Sequence, residues 1–153
     1  MYWLIDFESF KADRDDFVIK ELSILSSDAR QCYTYLIKPS TYQPVPSDNT
    51  TINYQYQRHR LAWNCGDFTL KEVMSDILKK IGYDNVYVKG FEKMRFLEKY
   101  IFQMCDLDFI PSIKKLPICL TDCCEIKHGM HCARRKVHAL KRYIDDNTYF
   151  YVV

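Results

Sequence analysis

No run of residues in this sequence approaches the roughly 20 consecutive apolar side chains that cross a bilayer, and no basic leader followed by a long apolar stretch opens it. Both absences point away from a membrane protein and from secretion, so an intracellular location, cytoplasmic or nuclear, is expected. A marked excess of one charge is missing too. The formal net charge of +2 is too small to indicate a nucleic-acid partner, and any such case must rest on where arginines and lysines gather. Internal repeats and low-complexity tracts are absent, and with 48% hydrophobic and 27% charged residues wholesale disorder is excluded. The 153 residues suit one domain, able to bury about two-thirds of the surface its unfolded chain exposes.

Cysteine, by contrast, is abundant. Of seven, four (Cys119, Cys123, Cys124 and Cys132) fall within fourteen residues, beside His128 and His131. In a reducing compartment such a cluster reads as a metal site sooner than as disulfides. Cys124-x3-His128-x3-Cys132 offers two thiolates and an imidazole, the chemistry of tetrahedral zinc, and Glu8 or Cys119 could supply the fourth ligand. A structural zinc is expected over a catalytic one, because two thiolates and a carboxylate over-neutralise the ion and leave it a poor activator of water.

Residues 2–8 alternate, which sets Leu4, Asp6 and Glu8 on one face of a strand and Trp3, Ile5 and Phe7 on the other. A strand that starts so early is expected to be central. Runs at 17–25 and 32–37 predict two more strands in an antiparallel meander. A long connection punctuated by Pro39, Pro44 and Pro46 then leads to about residue 68. Leu70, Val73, Met74, Ile77, Leu78 and Ile81 take helical spacing that Gly82 stops. A short strand at 85–89 follows. A second helix is expected with Met94, Leu97, Ile101 and Met104 inward, then a last strand within 105–110. The third helix carries Met130, Ala133, Val137, Leu140 and Ile144 inward and its basic residues outward. Residues 149–153 form an apolar tail.

Three antiparallel strands followed by alternating helices and strands is an order that resembles the ribonuclease-H-like α/β fold, over residues 1–153 as a single domain. Three local patterns are similar to those of the DEDD exonucleases. Ile5-Asp6-Phe7-Glu8 resembles their opening D-x-E, whose carboxylates help hold two magnesium ions. Gly90-Phe91-Glu92-Lys93-Met94-Arg95-Phe96-Leu97 resembles their F-D-x-x-F-L segment, with Lys93 standing at the metal-binding acid. His131-Cys132-Ala133-Arg134-Arg135-Lys136 looks like H-x-A-x-x-D, the general-base histidine and final acid, with Lys136 at the acid. Lysine donates and cannot ligate a metal, so the resemblance implies a degenerate site in which two-metal catalysis is lost, unless Glu92 or Asp84 compensates.

A degenerate DEDDh fold with added cysteines resembles the Maelstrom domain of the piRNA pathway, a family that binds zinc through Glu, Cys, His and Cys. That resemblance implies Glu8, Cys124, His128 and Cys132 as the zinc ligands, with His131 or Cys123 as alternatives to their neighbours. The K-G-x-E-K and H-C-A patterns are also similar to those of insect and transposon-associated proteins. The expected function is therefore a catalytically degenerate domain with structural zinc that binds single-stranded RNA or a protein, in RNA silencing or a mobile-element context. For RNA, Tyr42, Tyr54, Tyr56, Arg58, His59, Arg60 and Trp63 mix rings for stacking with cations for phosphate, and Arg134, Arg135, Lys136, Lys141 and Arg142 form a second basic stretch. Two rival readings stand beside it. One is a working nuclease, either with magnesium at rearranged acids (Asp6, Glu8 and the base His131) or metal-independent. The other is a pure protein-interaction module using the tail or a sheet edge.

Overall fold

The computed structural model describes residues 1–11, 17–39, 56–57, 60–107 and 132–147. It is an α/β arrangement of a five-stranded mixed sheet and three helices among those residues: β1 (Tyr2–Lys11), β2 (Phe17–Ser26), β3 (Cys32–Leu36), α1 (Leu70–Ile81), β4 (Asn85–Val88), α2 (Phe91–Leu97), β5 (Met104–Asp106) and α3 (Ala133–Asp146). The spatial order is β3-β2-β1-β4-β5, which departs from the order along the chain and leaves β1 in the middle. β1, β2 and β3 pair antiparallel, as the meander predicts, and β4 and β5 join parallel to β1.

The alternation of β1 divides two cores. Trp3, Ile5 and Phe7 pack with Ile24 of β2, Val73 and Ile77 of α1 and Leu97 of α2. Leu4 packs with Leu25, Val137, Leu140 and Ile144, so α3 covers the opposite face. Each fully buried side chain of this kind contributes roughly 1.5–3 kcal/mol. Thr69 starts α1: its hydroxyl accepts from the Glu72 N–H while the Glu72 carboxylate accepts from the Thr69 N–H, a reciprocal cap that satisfies two otherwise free donors.

Two expectations need correction. The second helix ends at Leu97, and Met104 belongs to β5 although its spacing from Leu97 and Ile101 is helical. Pairing with β4 wins there. The Gln103 carbonyl accepts from Val86 N–H at 3.1 Å, and its side-chain amide donates to Gly82 O at 2.7 Å. The third helix begins at Ala133, and its basic residues are not all outside: Lys136 is only 5% exposed and faces the sheet. Met130, the tail at 149–153 and most of the long connection lie outside the described residues.

The end of that connection closes one sheet edge. Ile37 bridges to Phe68, and Leu36 O accepts from the N–H groups of Asp67 and Phe68. Gly66, at φ +135°, runs so close to Ile37 and Lys38 that a Cβ would fall 2.2 Å from Lys38 N. No helix among the described residues is long and apolar enough to cross a membrane.

A candidate site closed by two lysines

Asp6 and Glu8 lie on the α3 side of β1, beyond the point where the ladder with β4 ends at Leu4↔Tyr87. Both are buried, 3% and 7% exposed. A carboxylate removed from water is costly unless a cation or several donors meet it. Each has been given a lysine. Gly90, at φ +119°, turns the chain from β4 into α2 and presents Lys93 to β1; its N–H is held by the Asp106 carboxylate at 3.1 Å. Lys93 Nζ donates to Asp6 Oδ1 at 2.5 Å and to Phe7 O at 2.9 Å, and it stands 4.9 Å from the centre of the Phe7 ring. The same Asp6 oxygen accepts the Phe7 N–H at 2.8 Å. From the other side, Lys136 on the first turn of α3 forms an ion pair with Glu8.

A third buried carboxylate completes the group. Glu21 of β2 is the cross-strand partner of Glu8 and is fully buried. Its Oε1 accepts the Ala133 N–H at 2.6 Å, so an acid sits at the positive end of α3. The site therefore holds three carboxylates, two ammonium groups and a helix N-terminus, and its charges are met from within the protein. Lys136 and Glu8 are shut away from solvent, while the Lys93 side chain is 22% exposed. As arranged, the acids pin α2 and α3 to the sheet through these ion pairs and hydrogen bonds.

The sequence points to Asp6, Glu8, Lys93 and Lys136, and the fold brings all four together. It gives no comparable warning of Glu21, although a Lys20-Glu21 pair inside an apolar strand is a signal that could have found it. Lys20 is equally buried, on a bulge where Ser9 pairs with Ile19. Its ammonium donates to Trp63 O at 2.6 Å and Cys65 O at 2.5 Å, tying the end of the long connection to β2, and burial pushes its pKa down. Asp84, weighed as a compensating acid, is at the wrong end of β4, where it accepts the Trp3 Nε1–H at 3.3 Å.

Of the four residues expected to hold zinc, Cys132 is fully buried at the head of α3 and Glu8 is engaged by Lys136. Cys124 and His128 lie outside the described residues, as do Cys119, Cys123 and the expected base His131. Among the described residues no three His, Cys, Asp or Glu side chains gather as a metal-ligand group. Of the basic residues expected to meet RNA, Arg60 is exposed and lies 6.0 Å from the Tyr56 ring centre. Arg134 and Arg135 are half-buried on α3, and Arg58 falls outside the described residues. His138, one turn beyond Arg134, has its pKa lowered by burial and then by that arginine. No protein-family model and no curated protein sequence matches the chain.

Proposed function

We propose that this is a ribonuclease-H-like domain of exonuclease type whose metal site has been replaced by two internal ion pairs, and that it binds single-stranded RNA without cutting it. The observation that carries this reading is the convergence of Lys93 and Lys136 on Asp6 and Glu8. In a two-metal nuclease, the carboxylates on the first strand share cations with acids from two later helices. Here the two later helices bring ammonium groups to the same acids, on a first strand that is central in the sheet. Divalent cations entering this space would meet positive charge and two acids already satisfied. The rearranged-nuclease reading loses Asp84, which is at the far end of its strand, and Glu92, the other acid that could compensate, is exposed on α2.

RNA contact falls to the expected cations and rings, among which the exposed Arg60 with Tyr56 and the half-buried Arg134 and Arg135 are described. Structural zinc belongs to the same proposal. In this reading Cys132, buried at the head of α3, shares a metal with Cys124 and His128, and because Glu8 is engaged by Lys136 the fourth ligand is Cys119. Such a zinc would tie the cysteine-rich segment to α3, with no part in cleavage.

Two measurements on the purified protein test this reading. Fluorescence anisotropy with a labelled single-stranded RNA should show salt-sensitive binding that Arg60→Ala weakens, and the RNA should remain intact in magnesium. Elemental analysis should find about one zinc per chain, lost in Cys132→Ser and kept in Glu8→Gln. Magnesium-dependent cleavage abolished by Asp6→Asn would overturn the proposal.

A further inference from the structure

The amino ends of β4 and β5 lie at the end of the sheet opposite Asp6 and Glu8, because β1 and β4 run parallel from Tyr2↔Asn85 and β5 joins at Val86↔Met104. Two connections enter these strands, one from α1 and one from α2. Each holds a ring out in water: Tyr83 is 102% and Phe102 98% exposed, the highest values for large apolar side chains among the described residues. Adjacent strands are about 4.8 Å apart, so the two connections are neighbours. Gln103 fastens them, its side-chain amide donating to Gly82 O at 2.7 Å while its carbonyl accepts from Val86 N–H at 3.1 Å. Lys79 in the last turn of α1 and Lys99 just past α2 are exposed at the same end, as is Asn85. The acids of this region are turned to partners within the fold: Asp84 to the Trp3 indole, Glu98 to Arg95 at 3.5 Å, and Asp76 to Lys80 and the Tyr35 hydroxyl, whose pKa burial and this bond raise to about 12.

Bare rings, lysines and an amide at one end of a domain are the parts that hold single-stranded nucleic acid: every base has a π-face to stack, each phosphate takes a cation, and an amide pairs with a base edge. We propose that Tyr83 and Phe102 are a stacking platform for bases of single-stranded RNA, with Lys79 and Lys99 against its phosphates and Asn85 against a base edge. This rests on the RNA reading above and adds to it a contact surface at the end of the sheet away from the two ion pairs. A lipid surface fits less well. Sinking both rings into a bilayer would carry Asp84 and Asn85, which lie beside them, toward hydrocarbon where their polar groups lose water. A protein partner also fits less well, because Asp84, Asn85 and Gln103 break up the apolar area that the core of a protein interface needs. Separate rings among polar groups suit bases, which stack one at a time.

The test is an anisotropy titration of a labelled single-stranded RNA of about 12 nucleotides with wild type, Tyr83→Ala, Phe102→Ala, the double alanine variant, and Tyr83→Leu with Phe102→Leu. Both rings stand in solvent, so these variants should fold as wild type does, which circular dichroism checks. Each single alanine substitution should weaken binding about tenfold and the pair more. The double leucine variant keeps apolar area but no π-face, and should bind as weakly as the double alanine variant, whereas Tyr83→Phe and Phe102→Tyr should bind like wild type. If the double alanine variant binds RNA as tightly as wild type while Arg60→Ala weakens binding, the platform is overturned and the RNA reading stands. Wild-type affinity in the double leucine variant overturns the stacking role, and so does sedimentation with phosphatidylserine vesicles that the double alanine variant loses while its RNA affinity is unchanged. Wild-type protein that binds no RNA removes the RNA reading itself, and the platform with it.

Discussion

Trp3, Ile5 and Phe7 alternate with Leu4, Asp6 and Glu8 along a single strand, yet the two sets are held by different forces. The first set meets α1 and α2 through hydrocarbon and aromatic contact, with Phe7 tilted against Phe96 and edge-on to Phe17. The second begins with one apolar contact at Leu4 and then becomes ionic, with Lys93, Lys136 and the N-terminus of α3 answering three carboxylates. Apolar burial loses stability roughly in proportion to what is removed. A buried ion pair behaves differently, since removing one partner strands the other, while removing both leaves nothing to strand.

The largest expected effect is on the ionic face. Lys136→Met should cost about 3–5 kcal/mol in urea unfolding, because Glu8 is left buried without its cation, whereas Glu8→Leu with Lys136→Met should return close to wild type. A mild single variant, or a double variant no better than the single, would erase the contrast between the faces. On the apolar face Ile5→Ala should cost ~3 kcal/mol, and its loss should add to that of a distant core truncation with no partner able to rescue it. The smallest effect concerns Tyr35 at the margin of the apolar face. Its hydroxyl ionises near 10 in the unfolded chain but is held neutral up to about 12 in the fold. Its contribution is therefore complete below pH 10 and lost as pH rises from 10 to 12. Solvent screening limits the change to ~1 kcal/mol, and Tyr35→Phe should remove that part of the alkaline transition.

The apolar face was the more legible in the sequence. Period-two alternation in β1 and 3.6-residue spacing in α1 each need only a tally of hydrocarbon, and both placed the core. The ionic face was half legible. Asp6 and Glu8 were visible as a pair, and Lys93 and Lys136 as lysines in places where acids were expected. What hid the burial of Lys136 was a sound default, that basic residues of an amphipathic helix face water, which fails when a buried carboxylate waits beneath. Glu21 was hidden because charge inside a strand gives no clue to its cross-strand neighbour until the register is known. Met104 misled through spacing alone, since a helical period in four residues cannot register the competing pull of a parallel partner strand.

The most direct test is Mn2+ titration, read by electron paramagnetic resonance, of wild-type protein and of the Lys93→Asp, Lys136→Asp double variant, with and without Asp6→Asn. If the ammonium groups of Lys93 and Lys136 keep cations from Asp6 and Glu8, wild type takes up no Mn2+ at these acids, and the double variant gains Mn2+ binding that Asp6→Asn removes. Wild-type protein that binds Mn2+ through Asp6 would contradict the account.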